Sequence, residues 1–141
     1  MSVDAFIDTN VFIYSLERLD ERKADKAERL IESSITIGNA CISFQVVQEC
    51  LNTAIRKAEI PLTVDEMNLY LNSVLRPLYR VQPSLSLYQS ALEIKDRYRF
   101  SFYDSLIIAA ALEAGCLTLY SEDLQHGQQI EGLTIENPFK E

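Results

Sequence analysis

Histidine is almost missing from this sequence: His126 is the only one in 141 residues. A site built from clustered imidazoles, or from several histidine-driven nucleophiles, is therefore excluded. The three cysteines, Cys41, Cys50 and Cys116, are odd in number and lack the Cys-x-x-Cys spacing that holds zinc or runs redox exchange. They are expected to be small buried apolar residues in a reducing compartment. Glycine and proline number four each against 48% hydrophobic residues, which excludes a collagen-like, linker-rich or disordered chain. Long apolar runs are also lacking. The longest, 106–112, is far too short to span a bilayer, and no basic segment followed by a signal-length apolar stretch opens the chain. A soluble cytoplasmic protein without a membrane partner is the expectation. Positive charge is scarce, with 13 Lys and Arg against 21 Asp and Glu for a net charge of −8. That balance argues against a broad basic surface for non-specific nucleic-acid binding.

What is present is an alternation of short apolar runs and helical patterns. A chain of this length is expected to form one domain, 1–141, burying about two-thirds of its unfolded surface. The run Ala5-Phe6-Ile7 reads as a buried strand that stops abruptly at Asp8-Thr9-Asn10. Short helical periodicity over 11–16 and a longer amphipathic pattern over 20–35 follow, the latter with a solvated charged face. A second strand over 40–43 leads into a helix over 44–58 that carries Glu49 near its start. Pro61 interrupts, and Thr63 with Glu66 three residues later predicts a capped helix to about residue 75. A third strand over 78–81, a helix from 84 to about 97, an apolar helix over 105–114 ended by Gly115, and strands over 116–120 and 134–135 complete the reading. No internal repeat, low-complexity segment or linker interrupts it. Strand and helix in alternation predict an α/β fold with a central parallel sheet and helices on both faces.

That architecture gives four acids a common address. Ligands and metals in open parallel sheets sit beyond the carboxyl ends of the strands. Asp8 and Asp123 directly follow strands, Asp104 falls at a helix start, and Glu49 lies on the helix leaving the second strand. Each acid alone has an ordinary explanation as a cap, a turn residue or a solvated helix residue. Together they do not, because two carboxylates about 5 Å apart repel by roughly 3 kcal/mol at an effective dielectric of about 20. Such a cluster needs a cation or shared protons. Oxygen-only ligands favour a hard ion, Mg²⁺ or Mn²⁺, over zinc. The four acids would account for half of the excess negative charge, and bound cations would offset them. Acids and metal without a Ser-His pair or a Gly-rich phosphate loop suit phosphodiester hydrolysis by metal-activated water.

Four segments carry a family resemblance. They are Asp8-Thr9-Asn10; Ser43-Phe44-Gln45-Val46-Val47-Gln48-Glu49; Tyr103-Asp104-Ser105-Leu106-Ile107; and Ser121-Glu122-Asp123-Leu124-Gln125-His126-Gly127. In this order they resemble the PIN-domain nucleases, and more closely the VapC-type ribonuclease toxins of bacterial toxin-antitoxin (VapBC) pairs. The resemblance covers essentially the whole chain. It implies a three-layer α/β/α sandwich, Mg²⁺- or Mn²⁺-dependent endoribonuclease activity on RNA, a homodimer, and inhibition by a cognate antitoxin protein. By position it implies that Asp8, Glu49, Asp104 and Asp123 are the acidic quartet that binds metal and catalyses. Thr9, Asn10 and Ser121 would orient those carboxylates, or serve as simple turn and cap residues.

Two other readings fit parts of the sequence. A phosphoacceptor receiver domain also gathers acids at a sheet edge, but it expects a late lysine, and none lies between Lys95 and Lys140. A catalytically silent PIN-like scaffold that binds RNA or protein could tolerate loss of acids, and all four are present. His126 is expected to be a turn or packing residue, since metal-activated water needs no imidazole. The aromatic and basic segment 97–103 is expected to pack Tyr98, Phe100 and Phe102 under a helix, with stacking on single-stranded RNA as the alternative.

Overall fold

The computed structural model describes residues 3–57, 60 and 62–141. Its elements in chain order are β1 (Ala5–Ile7), α1 (Thr9–Glu17), α2 (Glu21–Ile37), β2 (Ala40–Ser43), α3 (Phe44–Arg56) and α4 (Val64–Tyr70). A π-helical turn over Leu71–Leu75 leads without a break into α5 (Arg76–Leu78). Then come β3 (Tyr79–Val81), α6 (Leu85–Tyr98), α7 (Phe102–Glu113), β4 (Thr118–Tyr120), β5 (Gln129–Ile130) and β6 (Leu133–Glu136). Among the described residues no helix is long and apolar enough to cross a membrane.

The six strands run in the order β3-β2-β1-β4-β6-β5. Every pairing is parallel except β5 with β6, an edge hairpin around Glu131-Gly132. β1 is central because all three of its residues are apolar and buried, as a strand covered on both faces requires. The chain moves outward on one side through β2 and β3, then returns across β1 to lay down β4 on the other side. Right-handed crossovers put the helices of these opposite excursions on opposite faces. Accordingly α1 packs on α2 and α3, while α6 and α7 pack together against the sheet from the other side.

Local chemistry sets most element boundaries. Asp20, Ser43, Thr63, Ser84 and Ser101 cap five helices through their side-chain oxygens. Thr63 and Glu66 complete a reciprocal capping box, with bonds of 3.1 and 2.9 Å. Gly38 ends α2 at φ +78°, where a side chain would be strained. The three cysteines are buried free thiols, with Cys41 Sγ 3.8 Å from Cys116 Sγ.

Several expected boundaries move. The apolar helix begins at Phe102, three residues before Ser105, because Ser101 rather than Asp104 caps it. Leu78 is still helical, so the third strand starts at Tyr79. The expected strand at 116–120 is paired only from Thr118, and the one at 134–135 extends over Leu133–Glu136. β5, two residues long, has too little pattern to be read from sequence. The sheet is thus parallel with one antiparallel edge. The expected helical end at Ala58 and the break at Pro61 lie outside the described residues.

Candidate functional site

The strand order reverses between β1 and β4, so a crevice opens beyond their carboxyl ends. Asp8 stands at that point. Its backbone N–H donates to the Tyr120 carbonyl at 2.9 Å, extending the β1–β4 ladder by one bond, and it then serves as the cap of α1. This pairing fixes where its carboxyl group points. One oxygen accepts the Thr9 N–H at 2.7 Å and the other accepts the Ser121 hydroxyl at 2.8 Å. Only 5% of the residue is exposed. Burial pushes the Asp8 pKa up to about 7, against the opposing hydrogen bonds from Ser121 and Thr9. The negative charges of Asp123 and Glu49 raise it further.

Glu49 projects from α3 towards the same place. The Thr9 hydroxyl donates to its Oε1 at 2.8 Å, and the Gln45 amide donates to its Oε2 at 3.2 Å. Gln45 lies four residues earlier, on the same helix face. Asp123 follows β4, takes a hydrogen bond from the Asn10 amide at 3.1 Å, and donates its own N–H to the Ser121 hydroxyl at 3.2 Å. Ser121, fully buried, thus joins Asp8 to Asp123. Thr9, Asn10, Glu49 and Asp123 line an open cleft of about 390 Å³, with Tyr14 and Lys57 also in its wall.

Asp104 is placed less directly. It sits in the first turn of α7, where its N–H donates to the Ser101 hydroxyl at 3.1 Å. The carbonyl just before it, that of Tyr103, accepts from Gln45 Nε2 at 3.2 Å. That one amide therefore ties the Glu49 carboxylate to the helix start that carries Asp104. The structure joins Asp8 to Glu49 through Thr9 and to Asp123 through Ser121, and reaches Asp104 through Gln45.

The donor set fits a hard divalent cation in its chemistry. Every group offered is an oxygen, the carboxylates raise one another's energy, and Asn10 Oδ1, beside Asp123, is buried with no hydrogen-bond partner. Spacing is another matter: among the described residues no three acidic, imidazole or thiol groups converge closely enough to encage an ion as they stand. The carboxylates rest on neutral donors, and an ion would have to draw them inward.

Gln45 is the site residue that single-residue reasoning passed over, although its spacing from Glu49 was readable. Glu122 is the opposite case. Flanked by two site residues, it turns away, accepting from the Tyr14 hydroxyl and pairing with Lys23 at 2.5 Å. Burial works to raise its pKa, but the bonds from Lys23 and Tyr14 prevail and hold it below the usual range. Lys23 also lies over the Tyr14 ring, which meets Phe139 edge-on. This cluster anchors the loop after β4 to α1 and α2. His126 uses Nδ1 to accept the Asn137 N–H at 3.0 Å, closing a turn against the carboxyl-terminal segment. In the segment 97–103, Tyr98, Phe100 and Phe102 are partly buried against the core. Arg97 pairs with Glu131 at 3.7 Å, and Arg99 ends α6 in a left-handed conformation.

Comparison with known proteins places this geometry. The PIN domain family model matches residues 5–128. No curated protein sequence matches the chain. Several solved structures share its fold, among them three from bacteria. A toxin-antitoxin complex from Klebsiella pneumoniae superposes with a TM-score of 0.67 at 16% identity, covering 96% of this chain and 98% of that one. VapBC2 from Rickettsia felis, bound to a DNA fragment from its promoter, gives 0.68 at 18% identity over 94% and 97%. VapC20 from Mycobacterium tuberculosis, described as a sarcin-ricin loop cleaving toxin, gives 0.60 at 20% identity over 84% and 88%. At such identities the likeness is one of fold.

Proposed function

Because this chain belongs to the PIN-domain family, we propose that it is a metal-dependent endoribonuclease, the toxin of a type II toxin-antitoxin pair. The observation that carries this reading is the Asp8 carboxyl. It is buried at the strand-order reversal, its pKa is raised to about 7 chiefly by burial, and the neighbouring carboxylates of Asp123 and Glu49, themselves held by neutral amide and hydroxyl donors, push it the same way. A fold gains nothing in stability from such an arrangement, so its use lies in what it binds.

Asp8, Glu49, Asp104 and Asp123 would hold Mg²⁺ or Mn²⁺, which when bound supplies activated water and charge neutralisation at the scissile phosphate. The remaining work belongs to the chain. Ser121 and the Thr9 N–H fix the Asp8 carboxylate and favour its ionised form. Thr9 and Gln45 hold Glu49 from both sides, leaving it turned towards the cleft where it can orient a water or receive its proton. Asn10 holds Asp123 at the cleft wall. His126 is engaged elsewhere and has no part in proton transfer.

The partners that go with this reading are an RNA substrate, a cognate antitoxin protein and a second copy of the chain, in the cytoplasm. An antitoxin would neutralise the site by covering the acidic cleft with a basic residue. The test is to incubate antitoxin-free protein with total cellular RNA and Mg²⁺ or Mn²⁺, beside EDTA and Asp104→Asn controls, and to map fragment ends. Discrete cuts that vanish in both controls are expected. A folded protein that binds the metal and cuts nothing would leave the non-cleaving scaffold as the better reading.

A further inference from the structure

A second cavity, of about 210 Å³, is bordered like the acidic cleft by residues of α3. Phe44, Gln45 and Gln48 of the helix's first turns border this cavity, and Glu49, Asn52 and Thr53 further along border the cleft. Gln45 lines the second cavity, while Glu49, its hydrogen-bond partner one turn on, lines the first. Three aromatic side chains border the second cavity: Phe44 at the start of α3, Tyr88 on α6 and Tyr103 at the head of α7. They are 41, 42 and 64% exposed, unusual for three large rings that meet at one hollow. Phe102, partly buried, packs behind two of them, 6.3 Å from the Tyr88 ring and 5.5 Å from that of Tyr103. Phe44 is held by Tyr79 at 6.2 Å. The rings are thus propped from behind and open in front.

The polar lining is equally specific. Gln45 and Gln48 bring amide groups, and no acidic side chain borders this cavity. Aromatic faces with amides at the edge match an unpaired nucleobase, which stacks by its face and hydrogen-bonds by its rim. A protein surface of net charge −8 has little general attraction for RNA, so gripping a base is the route left for holding a strand near the acids.

We propose that the hollow between Phe44, Tyr88 and Tyr103 is a nucleobase subsite, seating an unpaired base of single-stranded RNA next to the phosphate presented to the acidic cleft. This deepens the nuclease reading and rests on it for its biological meaning, but base binding itself requires neither metal nor cleavage. Gln45 joins the two halves of the site. A base that displaces or accepts from its amide acts directly on the group that holds Glu49 and the Tyr103 carbonyl.

The sequence contains no tryptophan, so Tyr88→Trp gives the protein a single indole at the hollow. Metal-free protein is titrated with AMP, GMP, CMP and UMP, with ribose 5-phosphate as the baseless control. Saturable quenching by at least one nucleotide and none by ribose 5-phosphate is expected. Phe44→Ala in the same background should weaken that binding about 5- to 100-fold, the range of a lost base stack. Saturation-transfer NMR on the unaltered protein, reading base against ribose protons, serves where the indole itself fills the hollow. Transfer confined to ribose protons, or no binding at millimolar nucleotide by either method, overturns the proposal. So does sedimentation showing that Tyr88→Ala splits an oligomer, which would make the hollow a subunit contact. Failure of the nuclease reading looks different: bases bind here and no RNA is cut.

Discussion

Two places in this molecule gather carboxylates, and they do so in opposite ways. At the α1–α2 corner, Glu21, Asp25 and Glu28 surround Arg18, with contacts of 3.1, 2.6 and 2.7 Å. There a fixed cation sits in the middle and solvent screens the rest. At the carboxyl edge of the sheet, Asp8, Glu49 and Asp123 surround only neutral donors, the hydroxyls of Thr9 and Ser121 and the amides of Asn10 and Gln45. The first cluster is complete within the chain. The second is a charge imbalance in a partly dry setting, which is costly unless something from outside completes it. Glu122 and Asp123 repeat the contrast at neighbouring positions, one held by Lys23 and the other by an amide.

The largest expected difference between the clusters is in catalysis. Asp8→Asn and Asp104→Asn should each reduce RNA cleavage to the level of the EDTA control, whereas Glu28→Gln at the Arg18 cluster should leave it unchanged. Gel analysis of one RNA substrate checks all three. Equal loss in Glu28→Gln would erase the distinction.

The next effect is on stability in the absence of metal. Asp8 holds its proton more tightly folded than unfolded, so ionising it opposes folding. The penalty begins as pH rises above about 4, the unfolded value, and is complete above about 7, where it amounts to roughly 4 kcal/mol relative to Asp8→Asn. Glu66 and Glu122, whose pKa values are lowered, slope the other way in both proteins and cancel in the difference. Urea unfolding at pH 4 and pH 7 measures it. A wild-type protein that tracks Asp8→Asn across that interval would show that the carboxyl is not under strain.

Smaller effects sharpen the picture. Ser121→Ala removes the hydroxyl that donates to Asp8 and accepts the Asp123 N–H, and should weaken Mn²⁺ binding or cleavage by about 10- to 100-fold. Mn²⁺ titration followed by electron paramagnetic resonance would distinguish this from a general loss of folding. His126→Ala should retain cleavage within error, since its ring is occupied with Asn137. Complete loss of activity in a folded His126→Ala protein would restore the imidazole to the mechanism.

The capped helix at Thr63 was legible because its signal is local, Thr63 and Glu66 acting within one turn of each other, and the helices that Asp20 and Ser84 cap were legible as patterns starting at those residues. β1 and β2 were legible as short apolar runs ending at polar residues. β5 was not, since two residues carry no period, and its pairing depends on β6 being present. The start of α7 was misplaced for a related reason. Asp104 and Ser101 are both acceptable caps, and only the backbone path decides that the serine hydroxyl meets the Asp104 N–H. The acids themselves could be picked out one by one, but nothing along the chain separates Asp123 from Glu122 except which side of the strand end each leaves from.

Sequence alone determined the residue types available for chemistry: four carboxylates with oxygen donors beside them, one histidine, and no thiol or imidazole set for a softer metal. It also determined the alternation of strand and helix that sends strand ends to a common edge, because periodicity and capping are properties of neighbouring residues. Tertiary structure decided the rest. It set β1 beside β4, so that Asp8 and Ser121 touch across 113 positions. It gave Glu122 to Lys23 and left Asp123 to the cleft, and it set the exposed rings of Phe44, Tyr88 and Tyr103 around one hollow. Such outcomes depend on strand order and on which face each crossover takes, and those follow from packing the whole chain at once.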